Sequence, residues 1–241
     1  MITEALATVR DPELDASITE LGFVAAIEQD GGDVTIQLRL PTYFCAPNFA
    51  YLMVADAYDA VAAVPGVKKV VVRLEDHFAS DEINAGVAAS RGFEGSFPGL
   101  ADGELEELRL TFRRKAHRAC QEQVASRLLA AGWAMTTLAG TTLGEARAAL
   151  TAATLGEPEQ ALIEFERLGR RRAELGLPSG PEAALLVQDD GTPIAAVELP
   201  LQLRMAKTTR ISIEGNSGLC RGLLSVRYGL PRPVGVDQAV G

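Results

Sequence analysis

Residues 34–40 alternate strictly. Val34, Ile36, Leu38 and Leu40 are apolar while Thr35, Gln37 and Arg39 are polar, the period-two signature of a strand with one buried face. Asp30-Gly31-Gly32 just before them supplies turn residues that tolerate positive φ, and residues 23–28 read as the partner strand of a β-hairpin. A short helix is predicted over residues 2–9, ended by Asp11-Pro12 because proline disfavours helical geometry in the residue before it. Ser17 and Glu20 have capping-box spacing, and Gly22 can end the single turn that follows. Asn48 is the predicted cap of a helix over residues 49–63 that Pro65-Gly66 stops, and the β-branched run at residues 67–74 reads as a third strand. The order helix, strand, strand, helix, strand predicts a small α/β sandwich with helices on one face of a short mixed sheet.

Beyond residue 78 the pattern changes. Gly86, Gly92, Gly95, Pro98 and Gly99 mark residues 79–101 as a linker or a segment wrapping the first domain. Asp102 is the predicted cap of a long helix. Its first turn is acidic, and Leu105, Leu108, Phe112, Ala116, Ala119, Val124 and Leu128 recur at three- and four-residue steps up to Gly132. Thr142 and Glu145 have capping-box spacing, and Glu157-Pro158 starts another helix that ends near Gly176. Residues 184–187 and 194–197 flank Asp189-Asp190-Gly191-Thr192-Pro193 as in a hairpin, and residues 209–213 and 223–228 are two further strand candidates. The expected class is therefore α+β: domain 1–78, connecting segment 79–101, a second domain 102–228 of helices followed by an antiparallel sheet, and a poorly ordered tail 229–241.

Composition narrows the function. The net charge of −9 argues against a nucleic-acid partner, since neutralising phosphates needs a basic surface. No apolar stretch approaches the ~18 residues of a membrane span, and residues 1–10 lack the pattern of a secretory signal, so a cytoplasmic location is expected. The three cysteines, Cys45, Cys120 and Cys220, are widely spaced and odd in number. They fit reduced thiols rather than a disulfide framework or a zinc finger.

Cys45 lies at the junction Leu40-Pro41-Thr42-Tyr43-Phe44-Cys45-Ala46-Pro47, where strand gives way to helix. There a thiol faces unpaired N–H groups and the positive end of a helix dipole, a setting for a metal or sulfur ligand, although cysteine is also a common small core residue. His77, in Glu75-Asp76-His77-Phe78, is either a metal ligand oriented by a carboxylate such as Asp76 or an exposed strand-end residue. Cys220 follows Gly215-Asn216-Ser217-Gly218 in an expected loop, where ligands are commonly presented. Cys120 borders an apolar stripe and reads first as a core thiol. His117 follows Arg113-Arg114-Lys115 and reads as part of a solvated face. Asp11 reads as a turn cap beside Pro12, with a second role holding a ligand in place near the Cys45 loop.

Taken together, Asp11-Pro12-Glu13, Leu21-Gly22-Phe23-Val24, the Asp30-Gly31-Gly32 turn, the Pro41-Thr42-Tyr43 approach to Cys45 and Val64-Pro65-Gly66-Val67 resemble the metal–sulfur (iron–sulfur) cluster assembly domain family over residues 3–76. Relatives include cytosolic iron–sulfur targeting factors and a phenylacetate-degradation assembly protein. The family cysteine is usually followed directly by proline, whereas here Ala46 separates Cys45 from Pro47.

The resemblance implies a non-enzymatic factor that binds iron or an iron–sulfur cluster transiently. Cys45, with His77 and Cys220 or with the cysteine of a second copy in a homodimer, would pass it to a client metalloenzyme apoprotein recognised by the second domain. A multicomponent oxygenase with an iron or di-iron centre is the expected type of client. Two alternatives stay open: a thiol enzyme with Cys45 as nucleophile and His77 as base, and a metal-free chaperone that only binds its client.

Overall fold

A computed structural model describes residues 1–98, 105–152 and 157–231. The chain divides into two compact units, Met1–Leu108 with Ile213–Gly241, and Arg109–Ser212. The first unit opens with α1 (Ile2–Thr8), β1 (Val24–Asp30), β2 (Asp33–Arg39), α2 (Pro47–Ala62) and β3 (Lys69–Glu75), the order read from the sequence. The strands form one sheet in the order β1-β2-β3, with β1 antiparallel and β3 parallel to β2.

The hairpin turns through Gly31, whose φ of +58° suits glycine, between the paired Asp30 and Asp33. Parallel strands need a crossover between them, and α2 supplies it. Val34, Ile36 and Leu38 of β2 are buried, as their alternation requires, and meet Leu6, Ile18, Phe23, Val54, Val61 and Ile83 in one core. Helix α2 begins two residues earlier than expected, with Pro47 in its first turn and Ala46 as a cap without a side-chain bond. Proline presets φ and has no N–H to satisfy, so Asn48 is not needed as the cap; its Oδ1 accepts from Phe49 N instead.

Residues 79–98 carry two helices, α3 (Ser80–Ala88) and α4 (Gly92–Ser96). Asn84 of α3 accepts from Leu74 N at 2.8 Å and donates to Leu74 O at 3.0 Å, finishing the hydrogen bonding of the edge strand β3. Gly86 is a close-packing position: a Cβ there would lie 1.8 Å from Ser96 Oγ. Asp102, the expected cap of the next helix, and Gly99 lie outside the described residues, as do residues 232–241 of the expected tail.

The second unit is helical: α5 (Leu105–Ala130) continues into it, followed by α6 (Met135–Leu138), α7 (Leu143–Thr151), α8 (Pro158–Glu174) and the start of α9 (Leu199–Tyr228). The Thr142–Glu145 capping box is formed, and α8 starts at Pro158. Leu128, Leu138, Leu150, Leu168, Leu185 and Leu199 are buried in its core. His117 is fully buried rather than solvated, and burial together with the nearby Arg172 guanidinium pushes its pKa down to about 4. No described helix is long and apolar enough to cross a membrane.

The antiparallel sheet expected in the C-terminal part is absent among the described residues. The turn at residues 189–193 does form, with Gln188 N donating to Thr192 O at 2.7 Å and an isolated bridge between Val187 and Pro193. Ile194 N also donates to Leu186 O at 3.1 Å, and the pairing ends there. The side chain of Gln121 takes both the N–H and the C=O of Val187, and Arg172 takes the C=O of Leu185. The strand candidates at 209–213 and 223–228 fall inside α9. Buried or half-buried positions 199, 203, 206, 210, 213, 217, 220 and 224 follow the helical repeat. Ala206, Arg210 and Ser217 occupy three of them, so the stripe is not evident from hydrophobicity alone.

Ile36 is fully buried at the centre of the sheet. Ile36→Ala should cost about 2–5 kcal/mol, read as a lower urea midpoint with an unchanged slope; a midpoint equal to wild type would contradict the core assignment.

Candidate functional site

β2 and β3 are parallel and in register from Asp33↔Lys69 to Arg39↔Glu75, so the chain leaves both at the same edge of the sheet. The segment after β2 carries Cys45 and the segment after β3 carries His77. Cys45 is half-buried, two residues before α2, a 16-residue helix with no acidic side chain in its first turn. Thr42 Oγ1 and Cys45 Sγ are hydrogen-bonded at 3.1 Å, and Phe78 N donates to Tyr43 O at 3.1 Å. The aromatic rings of Tyr43, Phe44 and Phe78 are exposed around this loop.

His77 is 4% exposed, and its ring is engaged on both sides. Ala79 N donates to Nδ1 at 3.2 Å, which leaves the proton on Nε2, and Nε2 donates to the Cys45 carbonyl at 2.8 Å. Burial lowers its pKa, outweighing the bond to Cys45, and the Arg227 charge lowers it further. His77 is therefore a neutral donor that pins the Cys45 backbone. Neither of its ring nitrogens is bonded to the Cys45 sulfur, so the nucleophile–base pair of a thiol enzyme is not formed here.

Cys220 lies on α9, not in a loop, and α9 returns to the first unit, where Cys220 and Cys45 pack against the same core. Leu224, one turn on, is buried in the first core, where a Cβ added to Gly22 would lie 3.3 Å from its methyl group. Burial, followed by the charges of Asp11, Cys45 and Glu13, pushes the Cys220 thiol up to about 11, and Arg221 opposes them. Asp11 is 7% exposed and accepts from Glu13 N and Leu14 N at 2.9 Å each, the turn-capping role read from the sequence. Burial raises its pKa to about 6 against those two bonds.

Cys45 and Cys220 pack against the same core, the charges of Asp11 and Cys45 reach Cys220, and His77 is joined to Cys45 through its backbone. Asp76 sits at the root of the His77 segment with a φ of 52°. Cys120 is buried in the core of the second unit. Among the described residues no group of three or more His, Cys, Asp and Glu side chains stands in an arrangement that could hold a metal ion. Two contributors escaped the sequence reading. Thr42 carries the signal of a hydroxyl three residues before a cysteine; Arg227, which donates to the carbonyls of Leu40 and Asp76, carries none.

A sequence profile described as iron–sulfur cluster assembly protein matches residues 1–73. An uncharacterized protein of Methanocaldococcus jannaschii is 36% identical over 84 residues, which make up 34% of this chain and 86% of that protein. No solved structure matches the chain.

Asp11 binds its proton more tightly folded, at about 6, than at its ordinary 3.8, so its contribution to stability falls as pH rises between those values. Above that window its charge acts on Cys220. Asp11→Asn should therefore lower the pH midpoint of Cys220 alkylation from about 11, followed by peptide mass spectrometry across a pH series. An unmoved midpoint would show that the carboxylate does not act on the thiol.

Proposed function

Starting from a chain that belongs to the iron–sulfur cluster assembly protein family through its N-terminal third, we propose that its part in cluster assembly is to hold iron or a nascent cluster briefly on Cys45 and Cys220 and hand it to a client apoenzyme. The observation that supports this reading is that two thiols from distant parts of the chain pack against one core, near enough for the charge of Cys45 and that of the buried Asp11 to act on Cys220. Soft thiolates suit iron–sulfur species, and a carboxylate suits ferrous iron. Two thiols leave a coordination shell incomplete. An incomplete shell is what transfer needs, because the client's own ligands, or those of a second copy of this chain, can enter it. His77 joins the shell only by releasing the Cys45 carbonyl.

The exposed Tyr43, Phe44 and Phe78 support docking of a protein next to the cargo, since large apolar side chains are costly to leave in water. The helical unit, which lies outside the family-matched residues, is the proposed client-recognition part, and an oxygenase with an iron or di-iron centre is the proposed type of client. Three cysteines outside any disulfide support a reducing compartment, the cytoplasm. The second reading, a metal-free chaperone, draws on the absence of a three-ligand group among the described residues.

Anaerobic loading with ferrous iron and sulfide, followed by desalting and iron analysis, separates the two. Wild type and Cys120→Ala should retain iron, Cys45→Ala should retain none, and Cys220→Ala should retain about tenfold less or lower still. Wild-type protein that retains no iron under these conditions overturns the transfer reading in favour of the metal-free one.

A further inference from the structure

The last turn of α9 holds the Cys45 loop from outside the family-matched residues. Arg227 donates from Nη1 to Leu40 O at 3.1 Å and from Nη2 to Asp76 O at 2.5 Å. Those carbonyls stand at the roots of the two segments that build the site, Leu40 directly after β2 and Asp76 directly after β3. Nearer the tips the same segments are joined by the bond from Phe78 N to Tyr43 O and by that from His77 Nε2 to Cys45 O. One guanidinium thus ties the roots, and two further bonds tie the tips.

The seat of Arg227 is itself built. The guanidinium of Arg39 lies 4.7 Å from the centre of the Tyr228 ring and that of Arg227 5.2 Å from it, so the ring lies in reach of both cations. Leu224 anchors the preceding turn in the core. Asp76, whose carbonyl Arg227 takes, has a left-handed φ of 52°, a turn conformation that aspartate adopts more readily than most non-glycine residues. A planar guanidinium with several N–H groups fixed in direction can bridge two carbonyls at set spacing, which a lysine ammonium cannot reproduce.

We infer that Arg227 is a positioning residue for cluster handling: it braces both roots of the loop so that the Cys45 thiol stays against Thr42. This rests on the reading of Cys45 and Cys220 as the cargo-binding thiols, but the brace has a consequence for thiol chemistry that needs no iron. With the roots untied, the bond from His77 to the Cys45 carbonyl and the contact between Thr42 and the sulfur both lose their support, and Cys45 becomes more open to reagents.

The test uses the full-length protein. Iodoacetamide alkylation rates at Cys45 and at Cys120, the latter buried in the other unit and so a gauge of global unfolding, are measured by peptide mass spectrometry. Wild type is compared with Arg227→Met, Arg227→Lys and, as a control at an exposed neighbouring position, Val226→Ala. The Cys45-to-Cys120 rate ratio should rise about tenfold in Arg227→Met and less in Arg227→Lys, with Val226→Ala unchanged, and iron retained after anaerobic loading should fall about tenfold in Arg227→Met. If Arg227→Met fails to fold, Tyr228→Leu, which unseats the guanidinium without removing it, must raise the ratio. A folded Arg227→Met or Tyr228→Leu protein with the wild-type ratio overturns the inference. A raised ratio in a protein whose wild type retains no iron would support the brace while removing the cargo reading.

Discussion

Parallel pairing of β2 with β3 is the constraint on which the rest of the site depends. Parallel neighbours end at the same edge, so the segments after Arg39 and Glu75 emerge side by side and can bond to each other. The pairing is held by core contacts of Ile36, Leu38, Val72 and Leu74 and by the α2 crossover that also provides a helix entrance for Cys45. A one-residue slip in this register would turn the buried face of β3 outward. It would also carry His77 away from the Cys45 carbonyl, so the hydrophobic core and the site share one geometric requirement.

The local electrostatics disfavour negative charge around Cys220. Asp11 is buried and Cys220 has its thiol raised by burial and by the negative groups around it. Each of these shifts is a cost of placing negative charge in a poorly solvated spot. On the proposed function, an iron cation would remove that cost by displacing thiol protons and offsetting the carboxylate, so loading would be coupled to proton release.

Helix α9 serves both units, and its buried stripe contains residues of several kinds. In the second unit Leu199 and Leu203 enter the core and Arg210 pairs with the buried Glu122 at 2.5 Å. In the first unit Leu224 enters the core, Cys220 approaches Cys45 and Arg227 bonds to the carbonyls of the loop roots. The C-terminal segment is thus part of the thiol site as well as of the scaffold.

The alternation in β2, the Asp30-Gly31-Gly32 turn, the Thr142–Glu145 capping box and the N-terminal order of elements were legible because each is a local pattern, set by side-chain periodicity or by one residue's backbone preference. Cys45 was legible for the same reason, as a thiol at a strand-to-helix junction. The strands expected near residues 187 and 194 shrink to a single bridge, and the outward-facing backbone groups of Val187 go to Gln121, far away in sequence, rather than to a further strand. Those expected at 209–213 and 223–228 failed because tertiary burial of Arg210 and Ser217 completes a helical stripe that β-branched neighbours and glycines conceal. What the sequence determined by itself was the thiol loop and the small sheet that carries it. Only the tertiary structure decided that His77 bonds to the loop's backbone, that Cys220 packs against the same core as Cys45 and that Arg227 bonds to the carbonyls at both roots. Each of these joins residues distant in the chain, and no local periodicity encodes where a helix that begins at Leu199 will bring its final turns.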